Sequence, residues 1–275
     1  MSAISVRFWG VRGSIACAER NLARYGGNTS CVEARCADRL FIFDAGTGLR
    51  PLGRSLIAQA GDVDADIFLS HYHLDHICGL PFFAPLYRPG SRVRIWGAIN
   101  SSGHDVEASL RTMMADPLFP LSPDVFKAKL EFRAFRAGDV LQPHPAVTLR
   151  TAALNHPGGA AGYRLEHDNR AVAYITDTEH RPGEPDGNVL ALATGAGLMI
   201  YDSNYTDDEF PARVGWGHST WQESLRIAET AGVKRPALFH HDPEHDDEFL
   251  DRVDAQAKAR HAGAFVAAEG TTVVT

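Results

Sequence analysis

Short apolar runs alternate along the chain with polar stretches rich in glycine, proline, aspartate and asparagine. Runs of about four to eight β-branched and aromatic residues predict buried β-strands, and longer stretches with apolar residues three or four apart predict helices. The predicted strands comprise residues 4–9, 30–35, 39–43, 64–69, 92–96, 131–135, 140–141, 147–154, 161–166, 170–175, 198–201 and 236–239. The predicted helices comprise residues 49–60, 77–87, 105–115, 188–194, 220–231 and 246–261. This mixture of strands and helices indicates an α/β protein.

A histidine or an aspartate follows the end of five predicted strands. These residues are His71, His156, Asp177, Asp202 and His240. Loops beyond the strand ends of an open α/β sheet converge on one crevice. Each residue alone has an ordinary explanation, such as a turn cap at Asp177 or a packed imidazole at His156. Together they predict a single polar site.

The densest group of these side chains lies in the stretch Ser70-His71-Tyr72-His73-Leu74-Asp75-His76. An apolar strand precedes the stretch and gives the loop a rigid base. Neutral imidazole nitrogens and carboxylate oxygens suit zinc and similar first-row metals. The spacing H-x-H-x-D-H therefore predicts a metal site that uses His71, His73, Asp75 and His76. The alternative is a solvated histidine-rich loop that binds nothing.

Two glycine-containing segments come before this loop. In residues 10–28, the side chains of Arg12, Ser14 and Asn28 could reach a phosphate or sugar, and turn chemistry alone is the alternative. The segment that begins at Asp44 reads D-A-G-T-G, without the third glycine or the Lys-Ser/Thr pair of a nucleotide-binding loop. We therefore expect no nucleotide cofactor here, and we place Asp44 at a strand end close to the histidine loop.

His218 lies directly before a predicted helix. Thr220 and Glu223 have the spacing of a capping box. The free amides and the macrodipole at a helix N-terminus favour anions. An imidazole at this place suits a phosphate oxygen or a leaving-group oxygen, with Asp202 as the partner that orients it. The alternative is that His218 only packs at the start of the helix.

The length and composition suit one large domain over residues 1–275, with 44% hydrophobic and 22% charged residues. Residues 100–136 break the pattern, because Pro117, Pro120 and Pro123 interrupt regular structure there. Phe119, Leu121 and other apolar residues of this segment predict an insertion that serves as a lid or as a homodimer contact. Local packing onto the domain is the alternative.

The charge and the cysteines exclude several classes of protein. A formal net charge of −7 argues against a broad basic surface for long nucleic acid. The four cysteines form no CxxC pair, which favours free thiols in a reducing cytosol. No signal-peptide pattern opens the chain, and no apolar run approaches the ~20 residues of a membrane span. We expect a cytoplasmic protein without membrane contact.

The H-x-H-x-D-H spacing resembles the signature of the metallo-β-lactamase superfamily. Other segments resemble the ribonuclease Z and cyclic-phosphodiesterase branch of that superfamily. They are Arg24 with Asn28-Thr29-Ser30, His156 with Gly162-Tyr163, Ile175-Thr176-Asp177-Thr178, Asp202, and His218-Ser219-Thr220. Three details depart from the branch pattern: a wider spacing after Arg24, Thr176 in place of a glycine, and Asp202 where glutamate is common.

The resemblance implies an αββα sandwich, in which two mixed β-sheets are flanked by helices and metal ions bind at one edge. It implies two divalent metal ions, zinc by default, with manganese, iron or cobalt also compatible with this donor set. One ion would be held by His71, His73 and His156, and the other by Asp75, His76 and His240. Asp177 would bridge both ions, and His241 is the alternative to His240.

The expected function is that of a binuclear metal-dependent hydrolase. Two such ions lower the pKa of a shared water toward neutrality, and Asp75 would orient the resulting metal-bridging hydroxide. With Asp202 and His218 as the further catalytic residues, the expected substrates are small phosphodiesters such as cyclic nucleotides. The alternatives are a lactonase, thioesterase or β-lactamase on the same fold, an RNA-processing nuclease, and a non-enzymatic metal sensor. Transfer RNA is disfavoured because residues 100–136 contain no glycine-rich basic arm.

Overall fold

The computed structural model describes residues 3–59 and 61–275, and within them the strands form two sheets of seven strands each. The first sheet contains β1 (Ser5–Gly10), β2 (Cys31–Cys36), β3 (Arg39–Phe43), β4 (Asp64–Leu69), β5 (Arg92–Ala98) and β6 (Lys129–Phe135). The second contains β7 (Val140–His144), β8 (Val147–Leu154), β9 (Ala160–His167), β10 (Arg170–Ile175), β11 (Leu198–Asp202), β12 (Pro236–Phe239) and β13 (Phe265–Val266). The strand β14 (Thr272–Val274) returns to the first sheet and pairs with β1.

Each sheet is antiparallel in one half and parallel in the other. The first sheet has the order β14-β1-β2-β3-β4-β5-β6 and becomes parallel from β3 onward. The second has the order β13-β12-β11-β10-β9-β8-β7, and its strands β10 to β13 are parallel. The carboxyl ends of parallel strands lie at one edge of a sheet, so both sheets offer such an edge for a site.

Helices cover the outer face of each sheet. They are α1 (Leu49–Ile57), α2 (Leu74–Ile77), α3 (Val106–Met113), α4 (Gly187–Ala193), α5 (Trp221–Ala231) and α6 (Asp247–Arg260). Side chains of α1 and α3 pack on the first sheet, whereas α4, α5 and α6 pack on the second. The predicted αββα sandwich is therefore confirmed. These helices fall short of the length and apolarity needed to cross a lipid bilayer, within the residues described.

Aromatic side chains fill the space between the two sheets. Phe43 of the first sheet stacks on Tyr174 of the second with ring centroids 5.2 Å apart, and Phe8 lies 6.1 Å from Phe239. These rings are fully or almost fully buried. Burial of a side chain of this size contributes about 1.5–3 kcal/mol. The sheets are thus held face to face directly beneath the edge where the histidines lie.

The prediction of a helix over residues 77–87 is wrong. The chain forms the short helix α2 and then two separate 3₁₀ turns, Leu80–Phe82 and Ala84–Tyr87. Pro81 and Pro85 lack an amide donor, and each stands in the first turn of its own segment, where no donor is needed. The helix predicted to reach Ala60 ends at Ile57, and Ala60 lies outside the described residues.

Part of the segment 100–136 belongs to the first sheet. Helix α3 crosses over from β5, and β6 then pairs in parallel with β5 as an edge strand. Val106, Leu110 and Phe126 are buried against this sheet. Leu118 remains 75% exposed. A role of the segment as a lid or as a contact between two copies stays a prediction.

Candidate metal centre

The polar cluster lies where parallel strands of both sheets end. His71 follows β4 of the first sheet, while Asp177, Asp202 and His240 stand at the ends of β10, β11 and β12 of the second. His156 follows β8 and is brought to the same place. The nitrogen and oxygen atoms of this cluster fall into four overlapping groups whose members lie within 4.8 Å of one another. The site is therefore built between the sheets.

Three residues leave their strands in the left-handed backbone conformation. Their φ angles are 58° at Asp44, 56° at Asp177 and 63° at His240. Non-glycine residues adopt this conformation rarely, although Asp, Asn and His tolerate it better than most. Such strain persists where the surrounding structure enforces it, and it is often found at functional sites. Here it occurs at the points where the chain turns from a buried strand into the cluster.

Asp177 lies at the centre of the cluster, and its two oxygens face different imidazoles. Oδ1 lies 3.9 Å from Nε2 of His71 and 3.9 Å from Nε2 of His156. Oδ2 lies 3.3 Å from Nε2 of His76 and 3.4 Å from Nε2 of His240. One carboxylate thus separates two groups of nitrogen donors, as a bridging ligand would.

The two groups are completed by His73 and Asp75. Nδ1 of His73 lies 3.1 Å from Nε2 of His156, beside His71. Oδ2 of Asp75 lies 3.1 Å from Nε2 of His76 and 3.4 Å from Nε2 of His240. The structure therefore brings together all seven residues predicted as metal ligands.

The donor set fits a divalent cation. Nε2 of His71 is buried and, within the described residues, has no hydrogen-bond partner although it points toward Asp177. Burial lowers the pKa values of His71, His73 and His156, which favours the neutral imidazole that a metal requires. Buried carboxylates need a compensating positive charge. In the described part of the chain, the ion-pair partners of Asp75 and Asp177 are all histidines.

A buried carboxylate orients the histidine loop from behind. Oδ2 of Asp44 lies 2.7 Å from Nδ1 of His76 and accepts hydrogen bonds from Ser70 Oγ and Tyr174 Oη at 2.8 and 2.7 Å. A carboxylate only accepts, so Nδ1 of His76 carries a proton and Nε2 is the nitrogen left to ligate a metal. His156 is oriented in the same way, because its Nδ1 lies 2.8 Å from the carbonyl oxygen of Gly217.

His218 and Asp202 form a pair beside the cluster. Nδ1 of His218 lies 2.9 Å from Asp202 and 3.8 Å from Oδ1 of Asp177. Burial disfavours the charged imidazole, but the Asp202 carboxylate, with Asp177 and Asp75 nearby, outweighs burial and raises the pKa of His218 to about 9. Asp202 also accepts main-chain hydrogen bonds from Thr178, Asn204 and Ser219. The pair is therefore held rigidly.

The predicted cap of helix α5 is present in part. Thr220 Oγ1 accepts a hydrogen bond from the Glu223 amide at 3.1 Å, which makes Thr220 the N-cap. The Glu223 carboxylate binds Arg226 instead of returning to the cap, so the capping box is incomplete. His218 lies directly before this N-terminus, as predicted.

The three predicted substrate contacts have different positions. Ser14 is exposed, and its amide donates to Oδ2 of Asp75 at 2.9 Å. Arg12 is not brought to the cluster, because its buried guanidinium donates to the carbonyl oxygens of Gly26, Asp242 and His245. Asn28 is not brought there either, since its side-chain amide donates a hydrogen bond to Glu269 Oε2 at 2.9 Å.

The adjacent residues His240 and His241 have separate environments. The left-handed backbone at His240 directs its ring into the cluster, where Nε2 of His240 lies 3.3 Å from Nε2 of His76. His241 Nε2 instead lies 2.8 Å from the carbonyl oxygen of Ala267, and its ring packs against Tyr25. These contacts favour His240, the first polar residue after the apolar run, over His241 as the metal ligand.

Several residues near the site carry no signal in the sequence. Asn204 donates to the carbonyl oxygen of His240 at 2.8 Å, and His180 lies 2.7 Å from Ser219 Oγ. His180 also lines a cavity of about 640 Å³ with Phe210 and Arg226. These side chains come from separate segments and follow no spacing that the sequence displays, so only the fold reveals them.

Comparisons with known proteins agree with this geometry. The family described as Beta-lactamase superfamily domain matches residues 39–241. The ribonuclease Z of Halobacterium salinarum is 24% identical over 98% of this chain and 96% of its own. Among solved structures, the metallo-beta-lactamase fold protein YhfI from Bacillus subtilis has a TM-score of 0.73 at 20% identity and full coverage of both chains. A diphosphatase of the PhnP family has a TM-score of 0.72 at 19% identity, covering 100% of this chain and 98% of its own.

The matched family region contains every residue of the cluster, from Asp44 through His71 and Asp177 to His240. It also contains the strands β4, β8, β10, β11 and β12, whose ends position these residues. The fold, the family match and the histidine–aspartate donor set therefore lead to one conclusion. The chain belongs to the metallo-β-lactamase superfamily, where it is similar to ribonuclease Z, and it is a metal-dependent hydrolase.

Proposed function

We propose that the protein is a phosphodiesterase that uses two divalent metal ions and acts on small phosphodiesters such as cyclic nucleotides. The observation that carries this proposal is the His218–Asp202 pair, with its 2.9 Å contact, immediately beside Asp177. In this position, His218 would present a protonated imidazole next to the centre that would hold the scissile phosphate. The similarity to ribonuclease Z over almost the whole chain supports phosphodiester chemistry.

We assign the ligands of the two ions from the two groups of donors. His71, His73 and His156 would hold one ion, and Asp75, His76 and His240 the other. Asp177 would contact both ions, because its two oxygens face the two groups. Zinc is the default metal, and manganese, iron or cobalt also suit these ligands. When bound, the ions would lower the pKa of a water molecule and neutralise charge on a phosphoryl oxygen.

Asp75 and His218 have complementary roles in this proposal. Asp75 accepts a hydrogen bond from the attacking water and so orients it. His218 holds its Nδ1 proton against Asp202, which leaves the Nε2 proton for the substrate. The Asp202 carboxylate raises the pKa of His218 against the effect of burial, which favours the protonated ring that would donate from Nε2 to the leaving-group oxygen. Asp202 keeps the ring in this orientation.

A leaving-group comparison tests the role of His218. Replacing His218 with alanine should lower kcat for a 3′,5′-cyclic nucleotide by about 10²–10⁴-fold, since its alkoxide leaving group needs a proton. The same variant should lose much less activity on bis-p-nitrophenyl phosphate, because p-nitrophenolate leaves without protonation. The exposed residue His104 provides a control variant, His104→Ala. An equal loss on both substrates would contradict the acid role.

Substrate class is tested with the metal-loaded protein on several compounds in parallel. We expect turnover of bis-p-nitrophenyl phosphate and of 3′,5′-cyclic nucleotides, and none of nitrocefin or a simple lactone. Cleavage of nitrocefin or the lactone without any diester turnover would overturn the proposal in favour of another hydrolase class on this fold.

RNA processing is the second candidate, because the relative named ribonuclease Z is matched over 98% of this chain. The formal net charge of −7 weighs against it, since long nucleic acid is held mainly through phosphate contacts to basic side chains. Adding a precursor transfer RNA to the same assay decides the question. Faster cleavage of that RNA than of the cyclic nucleotides would make RNA the preferred substrate.

A further inference from the structure

We propose that Arg213 and Trp216 form a subsite that binds a second phosphate group of the substrate, separate from the scissile phosphodiester. The inference rests on the proposed function, since the diester itself would lie at the metal centre. It adds a preference within the substrate class: a phosphodiester that also carries a phosphomonoester would bind more tightly than one that does not.

Arg213 is an unpaired cation that two aromatic rings support. Its guanidinium carbon lies 4.9 Å from the ring centroid of Trp216 and 5.9 Å from that of Tyr205. Within residues 3–59 and 61–275, no carboxylate forms an ion pair with Arg213, whereas the exposed Arg111 and the partly buried Arg226 both have acidic partners. Stacking on rings leaves the N–H edges of a guanidinium free to bind an anion.

Arg213 and Trp216 lie at the rim of the metal centre. The ring of Tyr205, which supports Arg213, lies 6.1 Å from the ring of His218. The main chain of Tyr205 is bonded to Ser219 and to Trp221, so this ring is fixed beside His218. Trp216 precedes Gly217, whose carbonyl oxygen lies 2.8 Å from His156. Arg213 and Trp216 are therefore connected to the cluster on two sides.

The loop that carries the pair is held in one conformation. A single oxygen of Glu179 accepts hydrogen bonds from the amides of Gly215 and Gly217 at 2.7 and 2.9 Å. The Trp216 amide donates to the carbonyl oxygen of Arg213 at 3.1 Å, which closes a turn between the two residues. Trp216 remains 58% exposed. Preorganisation of this kind reduces the entropy cost of binding a ligand.

The chemistry of an arginine at this place favours phosphate. The planar guanidinium binds phosphate oxygens in a bidentate manner, and such charge-assisted bonds are about twice as strong as neutral ones. The chain as a whole is acidic, with a net charge of −7, so a local cation at the rim is needed to attract a second anionic group. The subsite therefore selects substrates with a phosphomonoester within reach of the scissile diester.

A matched pair of ligands tests this inference. Adenosine 2′,3′-cyclic phosphate is compared with the same compound bearing a 5′-phosphate on the metal-loaded protein, by KM where turnover occurs and by calorimetric Kd where it does not. We expect the 5′-phosphorylated compound to bind at least about tenfold more tightly to the wild type. In Arg213→Gln this preference should fall to about onefold, and Trp216→Leu should reduce it, while Arg213→Lys should retain part of it.

Arg252 offers a matched control, because it stacks on Phe249 at 5.6 Å but lies on helix α6. Arg252→Gln should keep the full preference for the 5′-phosphate. A wild type without that preference, or an Arg213→Gln variant that retains it, would overturn the subsite. A preference that depends on Arg213 in a protein without diester turnover would support the subsite and contradict the proposed phosphodiesterase function instead.

Discussion

Replacing Asp44 with asparagine tests whether the orientation of His76 determines metal binding. Asp44 is fully buried, and its Oδ2 receives the Nδ1 proton of His76 together with the hydroxyls of Ser70 and Tyr174. Its Oδ1 accepts from the Ser70 amide at 2.7 Å. Asparagine has the same shape and tolerates the φ of 58° at this position, so the backbone should keep its course.

The substituted amide meets a conflict in either orientation. If its NH₂ group replaces Oδ2, the two hydroxyls can turn to accept, but His76 can accept only when its proton moves to Nε2. That atom faces Asp75 and Asp177 and would then be unable to ligate a metal. If the NH₂ group replaces Oδ1, it opposes the buried Ser70 amide, which costs about 1–3 kcal/mol. Loss of such an orienting partner weakens metal binding about 10–100-fold.

This range corresponds to about 1.4–2.7 kcal/mol of metal-binding free energy. Competition with a chromophoric chelator measures the affinity, and metal analysis after dialysis gives the stoichiometry. Tyr174→Phe is the control, because it removes one hydroxyl from the same carboxylate without touching His76. Its affinity should stay within a few fold of the wild type. Wild-type metal affinity together with wild-type stability in Asp44→Asn would refute the reasoning.

Two further predictions concern the same centre. Gly217→Ala should lower metal content and the kcat on bis-p-nitrophenyl phosphate at least about tenfold, since its Cβ would lie 2.3 Å from Nδ1 of His156. Gly215 is the control position, because its φ of 91° is close to the 85° of Gly217 and a Cβ there would meet open space. Gly215→Ala should therefore cost only about 1 kcal/mol of stability. Equal metal loss in both variants would contradict the steric argument. Chelation should lower the Tm, because a ligand present at 1,000 times its Kd stabilises the folded state by about 4 kcal/mol. Zinc or manganese should restore the Tm, and a protein that loses its metal without a change in Tm would contradict the link between the centre and stability.

The sequence reveals the fold and the centre through one regularity, the polar residue that follows an apolar strand. Strands buried between two sheets appear as continuous apolar runs, and their ends mark where His71, Asp177 and His240 leave the core. Only Ala37 and Asp38 separate β2 from β3, and both adopt the left-handed conformation that a two-residue hairpin turn requires. These features are local, so a pattern of a few residues suffices to detect them.

Features that depend on distant contacts were not predictable. The strand β14 contains only Thr272–Val274, too short for a period to appear, and it forms because β1 offers an edge. Arg12 looked like a substrate ligand, but its carbonyl partners come from Gly26 and from Asp242 and His245, which lie 230 and 233 positions further on. The pairing of Asp44 with Tyr174 likewise joins the two sheets.

The left-handed residues at the strand ends also limit how the metal preference of this protein can be re-engineered. At Asp44, Asp177 and His240 the backbone itself disfavours most replacements, by roughly 1–2 kcal/mol for residues other than glycine, asparagine, aspartate and histidine. A library that introduces glutamate or cysteine at these positions would lose variants to misfolding before their metal selectivity could be measured. His73 has an ordinary extended backbone, with φ of −63° and ψ of 151°. Selection for a different metal should therefore begin at His73 and leave the strained positions unchanged.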